Sequence, residues 1–468
     1  MAKPNVLWIS LESVRADYTS LGQSNDTPTP NIKRIASTDE GRYFSNCYAH
    51  AHWTPASTTS ILTGTYPSSH GVGYKSGKNI TKVPRDLSTV PQLLDGQGYQ
   101  TALFGGNTYV SSATGLDRGF DQCDTTSETD LFSLRGMKAF YQYIKNVRYN
   151  GIGLRTDIPT HGDSFREWHQ FIGLRDWIKS CTESEMPYFG YVHINNSHHP
   201  YRPPNAVLRH TISDNDITIS EVRKHSNKFS DGIMDLIANN STLNANQRRA
   251  VLAAYEAEIR YDDYFIGKIF NYVRSQKNTI IVITGDHGEL FGEKGVFGHN
   301  LILHDKLLHV PMVVYGLDLE TVSDDALMQH MDVMQTILNT IGVDTTQFQG
   351  FDLNSQKRDF VIAERGPRPE DIDNLKKINS QIDDRRFHRT GVACLRSKEW
   401  KYQKSTDREE LFRLPDETTD LSSEFPGKRD ELEKALDERL PTDKFESSVK
   451  AEFTEQMKDQ LRDMGYLD

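Results

Sequence analysis

Residues 279–284 read TIIVIT, and the chain turns straight afterwards into GDHGE. Six residues without a charge, closed off by glycine, are too few for a helix and show no polar face. Such a run is expected to be a strand covered on both sides, of the kind found inside a parallel sheet. Shorter or weaker runs repeat the signal at Val6 to Ser10, Thr101 to Phe104, Tyr188 to Asn195 and Val310 to Tyr315. Helical spacing separates them. Leu87 to Leu94 offers one apolar face before Gly96 and Gly98, and the segment from Asn246 through AAYEAEIRYDDYFIGKIFNYV keeps the spacing for many turns. Strands alternating with helices predict an α/β fold with a mostly parallel central sheet flanked by helices. In such sheets reactive groups gather beyond the carboxyl ends of the strands. Glu12, after VLWIS, and Asp286 and His287, after TIIVIT, both fall at such ends.

The rest of the chain is less regular. Stretches near 125–180 and 205–250 are polar and partly aromatic, and are read as helical insertions that line or cover a pocket. Charge density rises from about residue 355. GVACLRSKEWKYQ reads as an antiparallel hairpin and the last forty or so residues as charged helix. These features divide the chain into a catalytic α/β domain over 1–355 and a small C-terminal α+β subdomain over 356–468. A net charge of −11 disfavours nucleic acid as a partner but leaves room for an anionic substrate, because a metal ion and a few cations can reverse the field in one pocket. Cys47, Cys123, Cys181 and Cys394 are far apart and form no CxxC pair, so reduced thiols are expected rather than disulfides or structural zinc. MAKPNVLWISLES is a poor signal peptide, and no stretch approaches about 18 apolar residues without charge. The expectation is a cytoplasmic protein with no stable membrane anchor.

Several segments carry chemistry-bearing residues. Asp286 and His287, flanked by Gly285 and Gly288, make half of a divalent-metal site if the glycines let a ligand approach the backbone; the same letters also suit a polar turn. Arg15, in LESVRAD, either meets a substrate oxyanion or bridges to Asp17. Thr54 lies in HWTPASTTSILTGTYPSSHGV, where a helix is expected to start among the Ser and Thr residues. A hydroxyl there sits among free backbone N–H groups at the positive end of the helix dipole, which suits attack on an anionic ester; an ordinary capping Thr is the alternative. His193, His198 and His199 crowd into HINNSHHPYRPP, and His299 and His304 follow in GVFGHNLILHDK. A histidine near a strand end can protonate a leaving group or hold an oxyanion.

Taken in order, these fragments resemble the sulfatase family of the alkaline-phosphatase-like superfamily. PNVLWISLESVRADYTSLG is similar to the opening strand that delivers a metal-binding acid, and WTPASTTSILTGTYPSSHGV to the signature segment. VHINNSHHPYRPP resembles the substrate-histidine segment, with His198 the best match, and ITGDHGELFGEKGVFGHN the second metal segment. HVPMVVYG, WKYQ, EELFRLPDETTDLSS and LRDMGYLD continue the likeness to the end of the chain. The departures are specific. The family's nucleophile is a Cys or Ser converted to formylglycine in a C/S-x-P-x-R motif. Anchored on the shared LTG at Leu62 to Gly64, that position falls on Thr54, the proline is displaced to Pro55 and the Arg position becomes Thr58. Glu12 stands for the usual Asp. GGNTY lacks the Lys and His of the GKWH-like segment, leaving Asn107 as the nearest polar group. No formylglycine is therefore expected. The set Glu12, Thr54, Asp286 and His287 is instead similar to the site of lipoteichoic-acid synthases and phosphoethanolamine transferases, where a Thr binds one divalent ion and is phosphorylated.

The resemblance implies a hydrolase of sulfuric esters. One divalent metal ion (Ca, Mn, Mg or Zn) is held by Glu12, Asp286, His287 and Thr54, and Thr54 attacks. His198 and His299 serve the leaving oxygen, and Arg15, Asn107 and His193 line the substrate. The partner is a small-molecule or glycan sulfate or phosphate ester. Hydrolysis of phosphoesters or phosphonates, or phosphoryl transfer, is the alternative the Thr favours, and a non-catalytic binder of sulfated glycans is the third reading.

Overall fold

The computed structural model describes residues 3–21, 28–74, 80–125, 133–150, 163–213, 216–276, 278–440, 445, 447 and 449–463. Its centre is a sheet of seven strands among the described residues. In spatial order they are Gly41–Tyr43, Met312–Tyr315, Thr279–Gly285, Asn5–Leu11, Tyr188–Ile194, Gln100–Gly105 and Gln122–Asp124. The last five run parallel, and Met312–Tyr315 lies antiparallel beside Thr279–Gly285. Successive side chains of a strand point to opposite faces. Leu7, Ile9, Ile281 and Ile283 accordingly join one core, while Val6, Trp8, Ile280 and Val282 join another on the far side. The TIIVIT strand is buried at every position, as a strand covered on both faces must be.

Sequence and structure differ in places. The run from Val310 to Tyr315 is split by Pro311, which has no N–H to give the ladder. His309–Val310 pairs with Asn46–Tyr48 in a second sheet, and Met312–Tyr315 stays in the first. The expected helix over Leu87 to Leu94 is one turn, Val90–Leu93, started by a Thr89–Gln92 capping box and followed by Gly96 at φ 73°. By contrast, Ala245–Val273 is helical throughout, with Asn244 and Gln247 exchanging capping hydrogen bonds at 2.9 and 3.0 Å.

The helix Asp163–Glu183 covers the sheet, with Trp177 against Phe104 and Tyr188. Residues 126–132 and 151–162 of that insertion lie outside the described residues. In the 205–250 insertion, Phe229 packs on Tyr201, Phe291 and Phe297, which braces the loops that carry the histidines. Among the described residues, no helix is long and apolar enough to cross a membrane. All four cysteines are free.

Val361–Arg365, Val392–Arg396, Trp400–Lys404 and Glu409–Arg413 form a four-stranded antiparallel sheet, which includes the expected hairpin. The helix Pro426–Asp437 seals it with Leu432 and Leu436 against Leu395, Tyr402 and Leu411. The end of the chain does not stay with this sheet, so 356–468 is not one unit. The Ala451 N–H donates to the Ile80 carbonyl and the Lys82 N–H to the Val449 carbonyl, both at 2.8 Å, and Leu461 enters the core containing Leu87 and Val110. The apolar positions of this charged tail are satisfied on the large domain.

Lys401 fastens the small sheet to the large domain. Its side chain is fully buried, with Nζ 3.1 Å from Asp305 and 2.5 Å from Glu417. Removing one partner of a buried pair strands the other charge, which typically costs about 3–5 kcal/mol. Lys401→Met is expected to lose that much in denaturant unfolding. A loss under about 1 kcal/mol would mean the bridge behaves like a surface pair.

Candidate active site

Register brings the site together. Leu11 pairs with both Gly285 and Ile194, and His193 pairs with both Ser10 and Gly105, so four strands end level. The ladder continues one residue further: the Glu12 N–H donates to Ile194 and the Asp286 N–H to Leu11, at 2.9 and 3.0 Å. Glu12 and Asp286 therefore leave the sheet side by side. The chain then bends sharply through Ser13, at φ 57°, whose N–H donates to Asp286 Oδ1 at 2.9 Å. Gly285 and Gly288 are required by the protein's own packing, not by a ligand. A Cβ on Gly285 would meet the Val14 carbonyl at 2.4 Å, and one on Gly288 the Lys306 carbonyl at 2.0 Å.

The helix expected among the Ser and Thr residues begins at Thr54 itself and runs to Thr63, buried along its whole length. Ser57 Oγ donates to the Asp286 carbonyl at 2.6 Å and pins this helix to the strand end. Thr54 Oγ1 donates to Glu12 Oε1 and lies 3.2 Å from His287 Nε2. The other Glu12 oxygen takes His193 Nε2 and Asn107 Nδ2, both at 2.6 Å. His287 Nδ1 faces the Gly288 carbonyl at 2.8 Å, which turns Nε2 towards Thr54. Glu12, Asp286 and His287 are fully buried, and a ligand atom from each lies within 4.8 Å of the others. Asp286 Oδ2 has no hydrogen-bond partner among the described residues and sits 3.6 Å from His287 Nε2.

Electrostatics follow from crowding two carboxylates in a dry place. Burial works against charge on Glu12, yet hydrogen bonds from His193 and His287 hold it well below the usual carboxylate range. Burial, reinforced by Glu12, pushes Asp286 up. Burial also opposes a charged His287, but Asp286 and Glu12 outweigh it and lift the imidazole to about 9.

A second cluster adjoins the first. Ligand atoms of His198, His199 and His299 lie within 4.8 Å of one another, and the His299 ring is 4.7 Å from that of His287. Glu289 Oε1, 3.1 Å from His299 Nδ1, orients that ring. His198 Nδ1 is turned to the His199 carbonyl, and burial brings His198 down to about 4. Glu289 belongs to the TGDHGE run but received no role from the sequence, because nothing local pairs it with a histidine ten residues on.

Arg15 lies outside both clusters of ligand atoms, with Nη1 donating to the Glu289 carbonyl at 3.1 Å. Nε and Nη2 bind Asp17 at 2.9 and 2.8 Å, and Nη1 binds Glu293 at 2.9 Å. The expected bridge to Asp17 is formed. His304 is also outside the cluster, 3.4 Å from Glu417 beside the small sheet.

A family model described as sulfatase matches residues 4–343. The chain belongs to the sulfatase family. It is 25% identical over 430 residues to an N-acetylglucosamine-6-O-sulfatase of Bacteroides thetaiotaomicron, covering 79% of this chain and 72% of that one. It is 24% identical over 485 residues to arylsulfatase K of Gallus gallus, covering 96% of this chain and 84% of that one. The fold superposes on the phosphonate monoester hydrolase of Agrobacterium radiobacter with a TM-score of 0.69 at 17% identity, over 93% of this chain and 95% of that one. The chain is thus an ester-hydrolysing enzyme of this family, with a threonine leading the signature helix.

Proposed function

We propose that this sulfatase-family enzyme cleaves sulfuric esters with Thr54 as nucleophile and one divalent cation at Glu12, Asp286 and His287. The observation that carries the metal is Asp286 Oδ2, a buried carboxylate oxygen without a donor beside a second buried carboxylate. Unpaired buried charge is costly unless it is paired or coordinates a metal. Two carboxylates, an imidazole and a hydroxyl are a donor set suited to such an ion, with the imidazole favouring Mn or Zn over Ca. When bound there, the ion supplies charge neutralisation at the ester oxygens and a lowered pKa at the Thr54 hydroxyl.

The remaining work falls to the protein. Asn107 and His193 fix the outer oxygen of Glu12, and Glu12 Oε1 accepts a hydrogen bond from the Thr54 hydroxyl in the ground state. Thr54 Oγ1 passes its proton to Glu12 Oε1 as it attacks sulfur, the bond to the substrate's alcohol oxygen breaks, and that oxygen takes a proton from a histidine of the second cluster. Water then displaces the group from Thr54, releasing sulfate. Between the two candidate acids the geometry favours His299. Its ring is oriented by Glu289 and lies against His287, whereas His198 is held neutral with Nδ1 committed to a carbonyl. His299→Ala is expected to lower kcat on alkyl esters by roughly 10²–10⁴-fold, much less on nitrophenyl esters, and more than His198→Ala does. Equal losses on both ester types would assign His299 to positioning.

A second reading, phosphoester or phosphonate hydrolysis, is favoured by Thr54 itself. Formylglycine expels sulfate by breaking carbon–oxygen in its hemiacetal, which a threonine ester cannot do. Any adduct must be resolved at sulfur or phosphorus. Initial rates on aryl sulfates, aryl phosphates and phosphonate monoesters, joined to mass spectrometry of protein quenched with each, decide between them. A sulfo adduct on Thr54 supports the first reading and a phospho adduct the second. Turnover with no adduct on Thr54 under any quench would overturn both.

A further inference from the structure

Buried cations elsewhere in the chain have carboxylate partners. Lys401 has Asp305 and Glu417, Arg15 has Asp17 and Glu293, and Arg358 lies 2.5 Å from Asp332. Arg365 and Arg368 break that pattern. Arg365 ends the first strand of the small sheet, and Arg368 precedes the helix Pro369–Ile378. They are 1% and 3% exposed. Among the described residues Arg365 makes no ion pair. Nη1 donates to the Gly366 carbonyl at 3.0 Å, Nη2 to the His388 and Thr390 carbonyls at 2.8 and 3.4 Å, and Nε has no partner. Arg368 Nη1 donates to the Pro367 and Tyr74 carbonyls at 3.0 and 3.4 Å, and its one ion pair among the described residues is to Asp371, at 3.7 Å on a carboxylate one-third exposed. Carbonyl groups satisfy donors but leave the charge in place, and a buried charge without a counter-ion is costly. Burial pulls Arg365 down to about 9, helped by repulsion from Arg368, and pulls Arg368 down to about 10.

The pair lies next to the reacting centre. Arg368 Nη2 donates to His52 Nε2 at 3.3 Å, and its guanidinium stands 5.2 Å over the Trp53 ring. His52 and Trp53 are the two residues before Thr54. Two residues of reach at no more than about 3.5 Å each plus the side chains keep the guanidinium within roughly 15 Å of the Thr54 hydroxyl. His52 Nδ1, buried and without a partner among the described residues, adds an uncommitted polar atom to the same place.

We propose that Arg365 and Arg368 form a second anion subsite, which binds a further oxyanion, carboxylate or sulfate, on the molecule whose ester is cleaved at Thr54. The spacing fits a glycan of one or two sugar units carrying at least two anionic groups. This rests on the ester-cleaving reading above, to which it adds a substrate class. A guanidinium fork matches such groups bidentately, and lysine does not replace it.

The test compares the full-length wild type with Arg365→Gln, Arg368→Gln and the milder Arg368→Lys. Substrates are a nitrophenyl ester, a disaccharide bearing the cleavable ester plus a second sulfate, and one bearing it plus a uronate carboxylate. The quantity read is kcat/KM for each disaccharide divided by that for the nitrophenyl ester. The Gln variants should lower at least one ratio by about ten-fold or more, mainly through KM, and the Lys variant by about three-fold. Whichever disaccharide responds identifies the anion. Parallel losses on all three substrates, or an unchanged ratio, would mean the arginines only staple the small sheet, and the proposal falls. If the Gln variants do not fold, Arg368→Lys decides by the same ratio. If the wild type cleaves none of the esters, the fault lies with the ester-cleaving reading. Calorimetric titration of the two disaccharides into wild type and Arg368→Lys then decides: binding weakened about three-fold supports the subsite, and absent or equal binding overturns it.

Discussion

Thr54→Ala is expected to lower kcat by about 10⁴–10⁶-fold, the range seen when a covalent nucleophile is removed, with bound metal retained. Thr54 is the first residue of a wholly buried helix, and its hydroxyl reaches both Glu12 and His287. Losing Oγ1 removes the attacking atom but leaves both carboxylates and the imidazole. The variant should therefore fold and bind ester substrates while forming no adduct. Thr54→Ser is the informative partner. It keeps the oxygen and loses a methyl group, so it should recover most of the rate. If alanine retained more than about a tenth of the activity, water rather than Thr54 would be the nucleophile and Glu12 its base. Rates must be read beside elemental analysis, since a variant that lost its metal would be inactive for a different reason.

Much of the arrangement was legible because it follows from local pattern. TIIVIT and VLWIS declare buried strands, and the residues just beyond each run must leave the sheet at its reactive edge. That logic placed Glu12, Asp286 and His287 at strand ends, and the structure brings them together with Thr54, His193 and Asn107. What stayed hidden depends on partners far along the chain. Nothing in LESVRAD says that Glu293 lies within reach of Arg15, so its second ion pair was not visible. Gly285 and Gly288 looked like ligand clearance, but carbonyls of Val14 and Lys306 occupy that space. Arg365 and Arg368 sit in an unremarkable charged stretch. Only the fold takes Arg368 to His52, more than three hundred residues earlier, and only burial shows that two guanidinium groups share one long, part-exposed ion pair.

Removing the metal should separate stability from activity in a way a merely polar turn would not. A cation that binds the folded chain at a concentration of about 100 Kd stabilises it by about 2.7 kcal/mol, and chelation should lower Tm by roughly 3–4 °C for a chain of this size. Elemental analysis should find about one equivalent in the wild type and little in Asp286→Asn, with kcat falling alongside. The chelated proteins should rank the other way. Without a metal, ionised Asp286 is a liability. Its pKa is raised by burial and by Glu12, so it costs stability as pH rises above the ordinary carboxylate range. Asparagine keeps the oxygen that accepts from Ser13 and His287 N–H groups at 2.9 and 2.8 Å and carries no charge. Chelated Asp286→Asn should then melt no lower than chelated wild type at pH 7. A variant that melts several degrees lower, with wild type unaffected by chelator, would show that Asp286 is a structural acid paired with protonated His287 and that no cation belongs between them.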